Sequence, residues 1–121
     1  MMTDLPAGPE LDKLVAEAIG LPVAPLYGRM WRGTPDEVYH ATEFLPMWAP
    51  SSLWRDAMLA AERSGLFDGR YLTRNGDWCV LGGYVHGVGM DCIASAPTGP
   101  HAICLAVLKL KERSDEPHPI G

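Results

Sequence analysis

The segment Ser95–Glu112, SAPTGPHAICLAVLKLKE, decides the fold class, because an extended run ends there and a capped helix begins. Thr98 has an N-cap side chain, and Gly99 with Pro100 fill the first helical positions, where a missing N–H costs nothing. Ala102, Ile103, Ala106, Val107 and Leu110 then recur at helical spacing and form one apolar stripe. Lys109, Lys111 and Arg113 close the helix, where cations suit the negative end of its dipole. The segment carries no catalytic motif.

Immediately upstream the hydrophobic period is two. Tyr71-Leu72-Thr73-Arg74 and Trp78-Cys79-Val80-Leu81 flank Asn75-Gly76, which predicts a hairpin closed by a type I′ turn. His86-Gly87-Val88-Gly89 predicts a second turn that leads into Met90–Ser95. With a two-residue first loop, Arg74 faces Asp77, Thr73 faces Trp78 and Leu72 faces Cys79. With a four-residue second turn, Val85 faces Met90 and Gly83 faces Cys92. One face then carries Leu72, Cys79, Leu81, Val85, Met90, Cys92 and Ala94 and meets the helices. The other carries Tyr71, Thr73, Trp78, Val80, Tyr84, Asp91 and Ile93, an aromatic surface with polar tips. That face offers more apolar area than one helix covers, so a homo-oligomer is expected. A bulge at Gly82-Gly83 would change this assignment.

Further back, a first helix is predicted from Pro9, with Leu11, Leu14, Val15, Ala18 and Ile19 on its apolar face and Gly20 with Pro22 as its stop. A second is predicted after Ser51 or Ser52 as cap, with Leu53, Trp54, Ala57, Met58 and Ala61 as its stripe and Gly65 as its end. Between them lies LPVAPLYGRMWRGTPDEVYHATEFLPMWAP, with five prolines and two glycines. We expect a long irregular loop over 22–50, interrupted by a short helical turn that Thr34-Pro35-Asp36-Glu37 would start. The expectation is one α+β domain over 1–121: a three- to four-stranded antiparallel sheet packed with two to three helices. Residues 1–7 are expected as a disordered lead-in and 114–121 as a frayed tail.

Composition narrows the function. A formal net charge of -5 argues against general binding of DNA or RNA, which needs Lys and Arg on phosphates. No stretch approaches a membrane span, and the N-terminus carries acids where a signal peptide carries bases. Cys79, Cys92 and Cys104 lie in apolar runs and are expected as reduced core thiols of a cytosolic protein. With His40, His86 and His101 they form no metal-ligand spacing, and no metal or other cofactor is expected. Asp36-Glu37 suit a helix start, and Gly82-Gly83 and Gly87-x-Gly89 lack the following helix of a phosphate loop.

The sharpest functional feature is Tyr27-Gly28-Arg29-Met30-Trp31-Arg32-Gly33. Tyr27 and Trp31 could stack on a base, and Arg29 and Arg32 could grip phosphate. The bland reading sets Trp31 and Met30 into the core edge and leaves the arginines solvated. Thr98, Gly99 and His101, at a helix start after a strand, form a second candidate for an anion, with capping as the simpler role. Arg70, Tyr71 and Arg74 around the hairpin form a third.

A resemblance adds to this. The pattern T-x-P-x-A-I-C-x-A-x-L-K, here Thr98, Pro100, Ala102, Ile103, Cys104, Ala106, Leu108 and Lys109, resembles the end of the phage ABA sandwich domain family. Gly8-Pro9-Glu10-Leu11-Asp12-Lys13-Leu14-Val15-Ala16-Glu17 is similar to that family's start, and Ala49-Pro50-Ser51-Ser52-Leu53-Trp54 is a loose counterpart of the entry to its middle helix. The 22–50 segment has no counterpart. The resemblance implies a phage protein in the cytoplasm of an infected bacterium, with a small sheet packed by helices. By analogy with small phage sponges, it implies sequestration of a nucleotide second messenger of a Thoeris- or CBASS-type defence. The alternatives are a protein–protein interaction module, acting on a host factor or as a virion accessory, and a hydrolase of the signal.

Overall fold

The elements run α1 (Pro9–Ile19), β1 (Val23–Leu26), β2 (Arg29–Arg32), α2 (Pro35–Tyr39), β3 (Met47–Trp48), α3 (Trp54–Ser64), β4 (Arg70–Asn75), β5 (Asp77–Val85), β6 (Val88–Ala96) and α4 (Gly99–Asp115). The computed structural model describes residues 5–43, 45–85 and 88–115. Two three-stranded antiparallel sheets, β1-β2-β3 and β4-β5-β6, combine with the helices in an α+β fold. Among the described residues, no helix is long and apolar enough to cross a membrane.

The helix that opened the sequence reading holds the middle of the core. Thr98 caps it: its Oγ1 accepts from the His101 amide at 3.3 Å, and its carbonyl accepts from Ala102. Every residue from Ala102 to Leu108 is buried, so α4 is enclosed all round rather than along one stripe. It packs on β5 and β6 and on α1 and α3. Ala102 and Ala106 of α4 and Ala57, Ala60 and Ala61 of α3 are fully or almost fully buried, and such small side chains let two helices approach closely. Leu11, Val15, Ile103 and Val107 add about 1.5–3 kcal/mol each through burial.

Helix ends follow local chemistry. Gly20 and Gly65 end α1 and α3 in the left-handed conformation, and Thr34 with Glu37 forms a complete capping box on α2. The backbone and side-chain bonds from Thr34 hold the exposed Glu37 carboxyl below its ordinary value. Helix α3 departs from expectation at its start. Its N-cap is Leu53, without a side-chain bond, because Ser51 is engaged elsewhere: its Oγ accepts from the Gly8 amide at 2.9 Å. The α3 stripe also differs. Asp56, Ala57, Ala60 and Ala61 face inward, whereas Trp54 and Met58 are half-exposed.

The expected 22–50 loop is a second sheet. Strands β1 and β2 pair through a tight turn at Tyr27-Gly28, and β3 joins β2 with Met30 opposite Trp48 and Trp31 opposite Met47. The expected lead-in also has an ordered part: Leu5 packs on the core, and its carbonyl lies 2.8 Å from His101 Nε2. At the other end α4 continues through Asp115, so residues 114 and 115 are helical.

The expected register of the β4–β5 hairpin is off by one. Asn75 pairs with Asp77, Arg74 with Trp78, Thr73 with Cys79 and Leu72 with Val80. Gly76, at φ 79°, alone separates the pair Asn75–Asp77. The shift brings Val80 and Trp78 to the side of Leu72, and Val80 is fully buried there. Between β5 and β6 the pairing slips at Val80/Leu81, so Ile93 and Ala94 are both buried, and it slips again around Gly82. Tyr84 pairs with Met90 and Val85 with Val88, not Val85 with Met90; Cys92 faces Leu81, not Gly83. The turn residues 86 and 87 lie outside the described residues.

The same register corrects the cysteines. Cys79 and Cys92 lie diagonally across β5 and β6 with Cα atoms 6.3 Å apart, and they form a disulfide. Cys104 alone matches the expected buried free thiol. Burial pushes its pKa well above the ordinary thiol range, and the Asp12 and Asp56 carboxylates add to the shift. A thiol held protonated in this way is a core residue and a poor nucleophile.

Candidate functional site

Strand β2 alternates, and the alternation divides the predicted loop residues into two groups. Met30 and Arg32 point inward, and Met30 is buried opposite Trp48. Arg32 Nη2 donates to Asp56 Oδ1 at 2.9 Å, and its guanidinium carbon lies 5.2 Å from the centroid of the Trp48 ring. Asp56 is fully buried in the first turn of α3, and its other oxygen accepts from the Ala49 amide at 3.0 Å. Trp48 Nε1 donates to the Asp12 carbonyl at 2.8 Å, and the Ser51 amide donates to Asp12 Oδ1 at 2.8 Å. Arg32 thus neutralises a buried carboxylate while its side chain stays 29% exposed and its buried Nε has no hydrogen-bond partner among the described residues.

Arg29 and Trp31 belong to the other face. Arg29 is exposed, its Nη1 is 3.8 Å from Met47 Sδ, and among the described residues it makes no ion pair. Trp31 is half-buried, and its Nε1 donates to the Leu26 carbonyl at 2.9 Å, which fixes the indole across the hairpin. Tyr27 and Gly28 form the turn with φ values of 53° and 72°. A type I′ turn needs positive φ at both positions, which suits glycine and strains tyrosine. Yet Tyr27 is 87% exposed, so no packing in the chain rewards the strain.

Two cavities share this turn as a wall. The first, about 290 Å³, is lined by Tyr27, Trp31, Tyr39 and Glu43, with Leu26, Val38, Ala41 and Leu45. Among the described residues its lining presents three aromatic rings and one carboxylate, and no cation. The second, about 350 Å³, has Gly28 and Arg29 at the turn and reaches Asp12, Trp48 and the starts of α1 and α3. Burial lifts the Asp12 carboxyl above its ordinary value near 3.8; the Ser51 bonds oppose this and the Asp56 charge reinforces it.

The other candidates are engaged in structure. A Cβ on Gly99 would fall inside the Trp54 ring, so the indole covers the start of α4 where an anion would dock. Trp54 meets Trp78 edge-on at 5.3 Å, and Arg74 sits 5.5 Å over the Trp78 ring. Arg70 lies across Gly82, where a Cβ would overlap it, and its Nη1 donates to the Leu66 and Asp68 carbonyls. Thr98 caps α4, His101 meets the Leu5 carbonyl, and Tyr71 is half-exposed on β4. None of these residues lines either cavity at the β1–β2 turn.

Sequence reading missed Tyr39 and Glu43. The helix start at Thr34-Pro35 is predicted from sequence, and it fixes the phase of α2 that buries Val38 and leaves Tyr39 beside the cavity. It also missed Asp12 and Asp56, whose burial nothing local announces. Among the described residues, no cluster of three or more His, Cys, Asp or Glu could hold a metal ion. Compared with protein-family models, with curated proteins and with solved structures, the chain matches none.

Proposed function

We propose that the chain is a non-enzymatic binding protein for a small nucleotide-type anion, held at the β1–β2 turn. The supporting observation is the turn itself: consecutive residues wall an aromatic cavity on one side and set into the cavity on the other Arg29, which makes no ion pair among the described residues. A base stacks among Tyr27, Trp31 and Tyr39, and its phosphate reaches outward to Arg29. The strain held at an exposed Tyr27 supports the same reading, since strain without internal reward points to an external contact. Arg32, Thr98, Gly99, His101 and Arg70 have no ligand role in this reading. With the resemblance to phage ABA sandwich proteins, the biological role would be to sequester a nucleotide signal, a cyclic nucleotide or ADP-ribose type, in the infected host.

Thermal-shift measurements with cyclic nucleotides, ADP-ribose and mononucleotides test the proposal. The expected result is a rise in Tm for at least one, lost in Tyr27→Ala and Arg29→Ala and retained in Arg74→Ala. No rise at ligand far above the protein concentration overturns it. Mass spectrometry of the released ligand separates sequestration from hydrolysis, since a binding protein returns it intact.

A protein–protein interaction module is the second reading. It is favoured by a groove of about 800 Å³ beside α3, lined by Met58, Leu59 and Phe67, next to the half-exposed Trp54. Recovery of a polypeptide that Met58→Glu releases, without any nucleotide effect, would select that reading.

A further inference from the structure

We infer that the aromatic cavity selects a guanine-type base, through the Glu43 carboxylate; this rests on the nucleotide reading above and narrows it to guanine nucleotides, against the ADP-ribose type. Among the described residues the lining has one charged side chain, Glu43, with three rings and four aliphatic residues. The rings hold any base by its faces and confer no choice among bases. Choice comes from the edge, and the edge partner in this lining is a carboxylate, which when ionised only accepts hydrogen bonds. It therefore favours a ring edge that presents donors side by side.

Guanine alone among the neutral common bases does this, with N1–H beside the N2 amino group. The two donors match the two oxygens of a carboxylate in a bidentate, charge-assisted pair. Adenine sets its N6 amino group beside the N1 acceptor, and cytosine sets N4 beside N3, so in each a lone pair meets a carboxylate oxygen. Uracil has its one N–H between two carbonyls. A site that accepts hydrogen bonds discriminates most against a partner that leaves its acceptor unpaired or opposed. The same carboxylate keeps the phosphate out of the cavity and directs it toward Arg29, so base and phosphate are oriented by charges of opposite sign on the two sides of one turn.

The test is calorimetric titration of the full chain with GMP, AMP, CMP, UMP and tetramethylammonium, repeated on Glu43→Gln and Tyr27→Ala. Glu43 is exposed, so Glu43→Gln leaves the fold intact. Selection of guanine predicts GMP binding at least about tenfold tighter than AMP, a preference that Glu43→Gln erases while AMP affinity stays within about twofold, and general weakening in Tyr27→Ala. Equal binding of GMP and AMP, both weakened by Tyr27→Ala, overturns the guanine inference and leaves the nucleotide reading standing. Binding of tetramethylammonium with no nucleotide bound overturns both, and marks the cavity as an aromatic cage for a cation. No binding of any probe overturns the guanine inference, and the nucleotide reading is then decided by the thermal-shift response to cyclic nucleotides and ADP-ribose.

Discussion

The two faces of β2 use the same residue types for opposite ends. On the inner face Arg32 lies over Trp48 and donates to a carboxylate that is fully buried. On the outer face Arg29 is exposed without an ion pair among the described residues, and Trp31 lines a cavity. An arginine and a tryptophan are therefore not a site by composition. The inner arginine is committed to a buried carboxylate of its own chain, whereas Arg29 makes no ion pair among the described residues. If this division is right, variants of the inner face should act on stability and variants of the outer face on binding.

The largest effect is expected at Asp56. Asp56→Ala removes the partner of Arg32 and the acceptor of the Ala49 amide, and should cost about 3 kcal/mol in urea unfolding. A loss under about 1 kcal/mol would mean that Arg32 is free to serve a ligand, and the contrast between the faces would collapse. Next comes Trp48→Phe, which removes the indole donor to the Asp12 carbonyl and opens space under Arg32. We expect about 2 kcal/mol, with ligand-induced shifts in Tm unchanged.

Asp12 sharpens the inner side through pH. Its folded pKa is raised above the ordinary value near 3.8, chiefly by burial, so the folded chain takes up this proton more readily than the unfolded chain does. Its contribution to stability is complete below pH 3.8 and is lost as pH rises through the raised folded value. Asp12→Asn cannot titrate and keeps an oxygen for the Ser51 amide. The urea midpoint of the parent chain should therefore fall relative to that of Asp12→Asn as pH is raised from below 3.8. A difference that stays flat with pH would place Asp12 in contact with water.

How far these faces were legible in sequence depends on the range of the forces involved. Pro9, Gly20, Thr34, Gly65 and Thr98 act on amides and carbonyls within a turn of themselves, so the helix ends could be read directly. The β4–β5 register could not, because a two-residue loop at Asn75-Gly76 is locally favourable and only the burial of Val80 rules it out. The disulfide was hidden by a separate register, that of β5 and β6, whose slip at Val80/Leu81 brings Cys79 and Cys92 together. Strands of two to four residues, one with an internal Pro25, gave no alternation long enough to recognise. Once β2 is known to be a strand, its alternation alone separates Arg29 and Trp31 from Met30 and Arg32. Glu43 had no local signal, because its place in the cavity lining beside Tyr27 and Trp31 is set by residues distant in the chain.

The smallest effect on stability, at Tyr27, is the most telling, because its sign is opposite. A left-handed backbone costs a non-glycine residue about 1–2 kcal/mol, and Tyr27 recovers little of it at 87% exposure. Tyr27→Gly relieves that strain but gives the unfolded chain more freedom to lose. The net expectation is a gain of about 0.5 kcal/mol, with affinity for a stacked ligand lowered by about tenfold or more. Tyr27→Ala keeps the strain, so it should lose the ligand without the gain. Unfolding midpoints and ligand titrations on both variants separate the two effects. If Tyr27→Gly is destabilised as the inner-face variants are, the ring is packing against its own chain, and the outer face is core edge rather than site. If it gains stability and loses ligand, the turn is a position where the fold gives up stability to keep an aromatic ring available to a partner.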